Sequence, residues 1–169
     1  MRHFISILIV LFAFTLTASR VYAGDDAAGK FQKIKSLAGE WQGKRGDGKQ
    51  VTVTYEVVSN GSTVMERIIP EDEPNMVTMY HLDGQNLLMT HYCAVNNQPR
   101  MQSVSSEDDM IKFELKDITN LTQESDGHME KLAITFKDAD HITHLWTFKE
   151  DGKEQAMPFD LERHTMSMK

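Results

Sequence analysis

The chain has 169 residues with a formal net charge of −7, and it carries a single cysteine. That acidic balance excludes the clustered Lys and Arg that phosphate binding requires, so nucleic acid is not an expected partner. One cysteine excludes an internal disulfide, so packing and backbone hydrogen bonds must hold the fold.

At the N-terminus, Met1-Arg2-His3 is followed by the apolar run Phe4 to Ala18 and then by the small-residue pattern Val21-Tyr22-Ala23. Residues 1–23 therefore predict a signal peptide, and residues 24–169 a single exported domain, periplasmic or extracellular. The apolar run is shorter than the roughly 20 residues of a membrane-spanning helix, and no later segment is longer, so no membrane span is expected.

Phe31, Ile34 and Leu37 recur at helical spacing before Gly39, which predicts one short helix over residues 29–37. From there the apolar period changes to two. Strands are expected at 41–44, 51–57, 62–69, 76–82, 85–93, 100–104, 111–115, 128–136, 141–148 and 155–163. The intervening turn signals include Asn60-Gly61, Asp83-Gly84, Asp126-Gly127 and Asp151-Gly152. About nine to ten short strands joined in sequence predict an all-β, antiparallel up-and-down barrel, whose closure removes exposed sheet edges.

The turns also sort the faces. A tight turn at Asn60-Gly61 sets Tyr55 opposite Glu66 and Val57 opposite Val64, so inward valines imply an inward Glu66 beside the Tyr55 phenol. The alternatives are a Glu at the barrel end, reaching water, and an inverted register. The turn at Asp83-Gly84 groups Met76, Thr78, Tyr80, Leu87, Met89, His91 and Cys93 on one face, and His81 with Tyr92 on the other. The longer apolar run favours His91 as interior. On the later strands His144 shares a face with Ile142, Trp146 and Phe148. Arg100, after Asn96-Asn97-Gln98-Pro99, reads either as a clamp for a ligand carboxylate or as a solvated loop-edge residue.

Gly39-Glu40-Trp41 after a short helix, with Arg163 ending the last strand, resembles the calycin group of lipocalins, fatty-acid-binding proteins and related barrels. The resemblance implies that Trp41 and Arg163 stack to close one end of the barrel, a structural element rather than a ligand site. The string Gly39-Glu40-Trp41-Gln42-Gly43 is also similar to the opening of nitrobindin-type haem barrels, although Lys44-Arg45-Gly46-Asp47-Gly48 departs from their glycine pattern. The stretch Met76 to Gly84, with Thr90 to Cys93 and Asn97 to Met101, resembles the centre of an uncharacterised exported lipocalin-like family, which implies a fold and no activity.

The expected function is a barrel that holds a small, mostly apolar or amphipathic molecule, with Tyr55, Glu66, His91, Arg100 and His144 contacting its polar parts. Two other readings stand beside it: an enzyme using acid–base chemistry in the same cavity, and a filled barrel that binds a protein partner through its surface. No metal site and no cofactor are predicted. Interior imidazoles would allow haem, but His141-x-x-His144 places its two rings on opposite faces of a strand, where they cannot chelate one ion. The ten methionines after the initiator would suit an adaptable apolar cavity or ordinary core filling.

Overall fold

In a computed structural model, residues 26–105 and 107–164 are described; the predicted signal peptide lies outside them. The chain folds as one helix, α1 (Ala27–Ser36), followed by ten strands. These are β1 (Gly39–Arg45), β2 (Gln50–Val58), β3 (Thr63–Pro70), β4 (Met76–Asp83), β5 (Asn86–Tyr92), β6 (Gln98–Val104), β7 (Met110–Thr119), β8 (His128–Phe136), β9 (His141–Glu150) and β10 (Lys153–Arg163). Each strand pairs antiparallel with its neighbour in sequence, and β10 returns to β1, so the sheet closes as an up-and-down barrel.

Period-two alternation positions the interior. Val51, Val53 and Tyr55 on β2, Val64, Glu66 and Ile68 on β3, Met76, Thr78 and Tyr80 on β4, and Leu87, Met89 and His91 on β5 are all buried. The β2–β3 register matches the sequence expectation, with Tyr55 opposite Glu66 and Val57 opposite Val64. The connection is longer than two residues: Ser59, Asn60 and Gly61 all take positive φ (51°, 54° and 83°), and Val58 pairs with Thr63. Val57 shares the inward parity but is 40% exposed, because it lies where the hairpin overhangs the barrel end. At the next hairpin Asp83 pairs with Asn86, so Gly84-Gln85 forms the turn and the predicted face assignment is unchanged.

One end of the barrel is closed. The Asp26 carboxylate accepts from the Gly29 N–H (2.6 Å) and caps α1, which buries Phe31 and Ile34 and packs against β2, β4 and β5. Trp41 is fully buried and donates its indole N–H to the Leu37 carbonyl (2.8 Å). The Arg163 guanidinium lies 4.2 Å from the Trp41 ring centroid and donates to the Ser36 and Ala38 carbonyls (3.1 and 3.0 Å). Gly43 is required here. A Cβ would fall 1.8 Å from the Asp160 carbonyl oxygen, so β1 and β10 approach each other only because that side chain is missing.

Candidate functional site

A carboxylate, two phenols, a threonine and two imidazoles meet inside this otherwise apolar barrel. Glu66 is fully buried, with Tyr55 donating to its Oε1 and Tyr80 to its Oε2, both at 2.9 Å. Thr78 stands opposite Glu66 across β3 and β4, beside the same carboxyl. Two phenol donors compensate an acidic group that would otherwise cost several kcal/mol to bury. Burial still pushes Glu66 above the usual carboxylate range, against the pull of the hydroxyls around it. Both phenols are held well above the ordinary tyrosine value, by burial and then by the adjacent carboxylate, and so stay protonated as donors.

Tyr55 also reaches His144 Nε2 at 2.8 Å, from a strand that is not its neighbour in the sheet. This contact crosses the barrel interior and ties β2 to β9. His144 Nδ1 lies 3.6 Å from Glu66 Oε1, beyond hydrogen-bond distance, and has no other partner. Burial lowers His144 to about 3, so the ring is neutral near pH 7 and its approach to Glu66 is not an ion pair.

Towards the end opposite α1, Thr78 Oγ1 meets His91 Nδ1 at 2.9 Å. The His91 ring packs on Trp146 with centroids 4.7 Å apart. Both side chains are almost fully buried, yet His91 Nε2 and Trp146 Nε1 have no hydrogen-bond partner. They form the deep lining of a cavity of about 400 Å³ whose walls include Ile68, Met76, Met129, Phe148, Met157 and Phe159. Cys93, Ala94 and Glu73 stand at its rim, with Glu73 held by the Arg45 guanidinium at 2.5 Å. The chemistry is that of an apolar slot backed by two rings that each keep an unmet, buried polar atom.

The sequence-predicted residues divide accordingly. Tyr55, Glu66 and His144 are interior and hydrogen-bonded in one network, while His91, also interior, bonds Thr78 and alone of the four lines the cavity. Arg100 requires correction. It stands on the outer surface of β6 and donates to Asp117 Oδ1 (2.6 Å), because buried Pro99 and Met101 on either side fix its parity outward. It therefore cannot clamp a ligand inside the barrel. Tyr80 as the second partner of Glu66, and Trp146 as a partner of His91, were not singled out from sequence. The shared face of Tyr80 and His91 was the available signal for the first. Among the described residues no group of three or more His, Cys, Asp or Glu could hold a metal ion, and His141 lies outside, against Asp138.

No protein-family model matches the chain, and no curated protein does. Solved structures are similar in fold. One is a protein of unknown function from the DUF3598 family of Nostoc punctiforme, 16% identical with a TM-score of 0.55, covering 78% of this chain and 49% of that one. The present chain thus spans about half of that protein. Another is Rv2717c from M. tuberculosis, 13% identical with a TM-score of 0.54, covering 80% of this chain and 97% of that one. At these identities the likeness is one of barrel architecture.

Proposed function

We propose that this chain is an exported, calycin-like binding barrel that holds a small, mostly apolar molecule in the cavity at its open end, the molecule's polar part meeting His91 and Trp146. The observation that carries the reading is an apolar cavity of about 400 Å³ lined by His91 and Trp146, two side chains that each keep a buried, unpartnered polar atom, Nε2 and Nε1. Buried polar groups are nearly always hydrogen-bonded, and leaving one unpaired costs about 1–3 kcal/mol. A ligand that supplies the missing bonds recovers that cost, and the methionine and aromatic walls provide adaptable apolar contact. The Tyr55–Glu66–Tyr80–His144 network has another role: it does not line the cavity, and it packs behind the wall beside Thr78, the partner of His91. A cavity of this size also speaks against a filled barrel that acts only through its surface.

The test is native mass spectrometry of the full chain purified from its own compartment, with denaturing extraction of the same sample. Retention of a small, mostly apolar molecule is expected, and its loss in His91→Leu at unchanged thermal stability. An empty wild-type protein that also fails to take up an added apolar probe such as 1-octanol overturns the proposal.

A further inference from the structure

The cavity at the open end has a neighbour. An outer groove of about 510 Å³ is lined by Arg45, Gly46, Asp47 and Pro158, and it shares Glu73, Gln155, Met157 and Phe159 with the cavity. Those four side chains therefore stand between the two spaces. Gln155, Met157 and Phe159 are on β10, fixed by its pairing with β9. Glu73 instead comes from residues 71–75, the loop between β3 and β4, and its carboxylate is held by the Arg45 guanidinium at 2.5 Å. Arg45 shares the inward parity of Trp41 and stands opposite Phe159, so its stem enters the barrel mouth, and only 7% of the side chain is exposed. Asp47 (2.6 Å) and Asp72 (3.3 Å) pair with the same guanidinium, and Lys49 pairs with Asp72. The loop has no apolar anchor. All of residues 71–75 are exposed, and beyond the hydrogen bonds between Glu71 and Gln50 the loop is held by charge. Segments with few buried apolar contacts are the ones that open at least cost.

We infer that the Arg45–Glu73 ion pair is a gate: when it parts, the loop swings out about Glu71, and the cavity and the outer groove join into one channel through which a ligand enters and leaves. The ligand's passage rests on the binding reading above, whereas the opening itself can be measured without a ligand. Two features make the pair separable. Glu73 is partly exposed, so its carboxylate regains water as it leaves. Arg45 is not left as an unpaired buried charge, because Asp47 grips it through both carboxylate oxygens from the adjoining β1–β2 turn. The β10 side chains, by contrast, could clear the passage only by breaking the sheet.

Cys93 reports on the gate. It is the single cysteine of the chain, half-buried, and lines the same cavity; burial first, and the Glu73 charge after it, raise its thiol above the ordinary cysteine value. On the full chain, alkylation by uncharged iodoacetamide, followed by mass spectrometry, reads the opening with no ligand present. The limiting thiolate rate, fitted from the pH profile, keeps the removed charge of Glu73→Gln from being counted as opening. Glu73→Gln is expected to raise that rate about threefold or more, the scale of one partly exposed ion pair, and added salt to raise it in the wild type but not in the variant. An unchanged rate in Glu73→Gln, or an equal salt response in both proteins, overturns the gate. With 1-octanol as the probe, the variant's association and dissociation rates are expected to rise together and leave Kd within about twofold, whereas a faster dissociation alone would make Glu73 a ligand contact and overturn the gate. Absence of any octanol binding would overturn the binding reading, and the Cys93 rates would still decide the gate.

Discussion

Removing one hydroxyl, in Tyr55→Phe, probes the interior network directly. That oxygen lies 2.9 Å from Glu66 Oε1 and 2.8 Å from His144 Nε2, and the residue is 3% exposed, so no water replaces it. The carboxyl loses one of its two phenol donors, a charge-assisted bond worth about 1.5 kcal/mol or more. His144 is left without a partner on either nitrogen, since Nδ1 already has none, and an unsatisfied buried imidazole nitrogen costs about 1–3 kcal/mol. The ring volume is kept, so no cavity cost is added. The sum is about 3 kcal/mol, which for a domain of this size lowers Tm by roughly 10 °C. Differential scanning calorimetry reads the change, with Tyr92→Phe as a control, because Tyr92 is 50% exposed and its substitution should cost less than about 0.5 kcal/mol. Adding His144→Phe should give a non-additive double mutant with a coupling of about 1 kcal/mol or more. A Tyr55→Phe loss below about 1 kcal/mol, or strict additivity with His144→Phe, refutes the network as described.

Acid should unfold the protein early. His91 and His144 are held at about 4 and about 3, below the ordinary histidine value, so between those values and about 6.5 the unfolded chain binds more protons and stability falls as pH falls. Urea midpoints at pH 7, 5.5 and 4.5 check this, and an unchanged midpoint across the series contradicts the neutral, buried assignment. Glu66, raised by burial, contributes with the opposite sign, so Glu66→Gln should flatten the loss of stability as pH rises above the usual carboxylate range. Gly43→Ala forces a methyl into the Asp160 carbonyl and should cost several kcal/mol or abolish folding, whereas Ala at Gly48, where a Cβ meets nothing, carries only the strain of its positive φ. Arg100→Ala removes a half-exposed surface pair with Asp117 and should change stability by less than about 1 kcal/mol, with ligand retention unaffected; loss of retention would return Arg100 to the site.

Much of this arrangement follows from parity. Once a hairpin fixes which residues face each other, a period of two carries the assignment along both strands, which is why Tyr55 opposite Glu66 and the inward face of Thr78, Tyr80 and His91 were readable from turns and valines alone. The turn itself was placed one residue early without harm, because that moves each cross-strand partner by two and preserves parity. Arg100 shows the limit. Its loop context suggested freedom, while the parity of Pro99 and Met101 had already placed it outside. Contacts across the barrel are not legible in this way. Tyr55 meets His144 from strands separated in the sheet by β1 and β10, and the meeting depends on barrel diameter and strand tilt, which no local pattern encodes. The same holds for the cavity. Which end of the barrel stays open depends on where α1 docks, and the Trp41–Arg163 pair marks only the end that is closed.

The methionines offer the most direct test of the central claim. Met76, Met129 and Met157 line the cavity, whereas Met65 and Met79 pair with each other on the outer faces of β3 and β4. Titrating 1-octanol into methyl-labelled protein and following the methionine ¹³C resonances separates the two sets. A binding barrel predicts saturable shifts at Met76, Met129 and Met157 with Met65 and Met79 still. Shifts confined to the outer pair, or none at saturating alcohol, would contradict a ligand site at the open end.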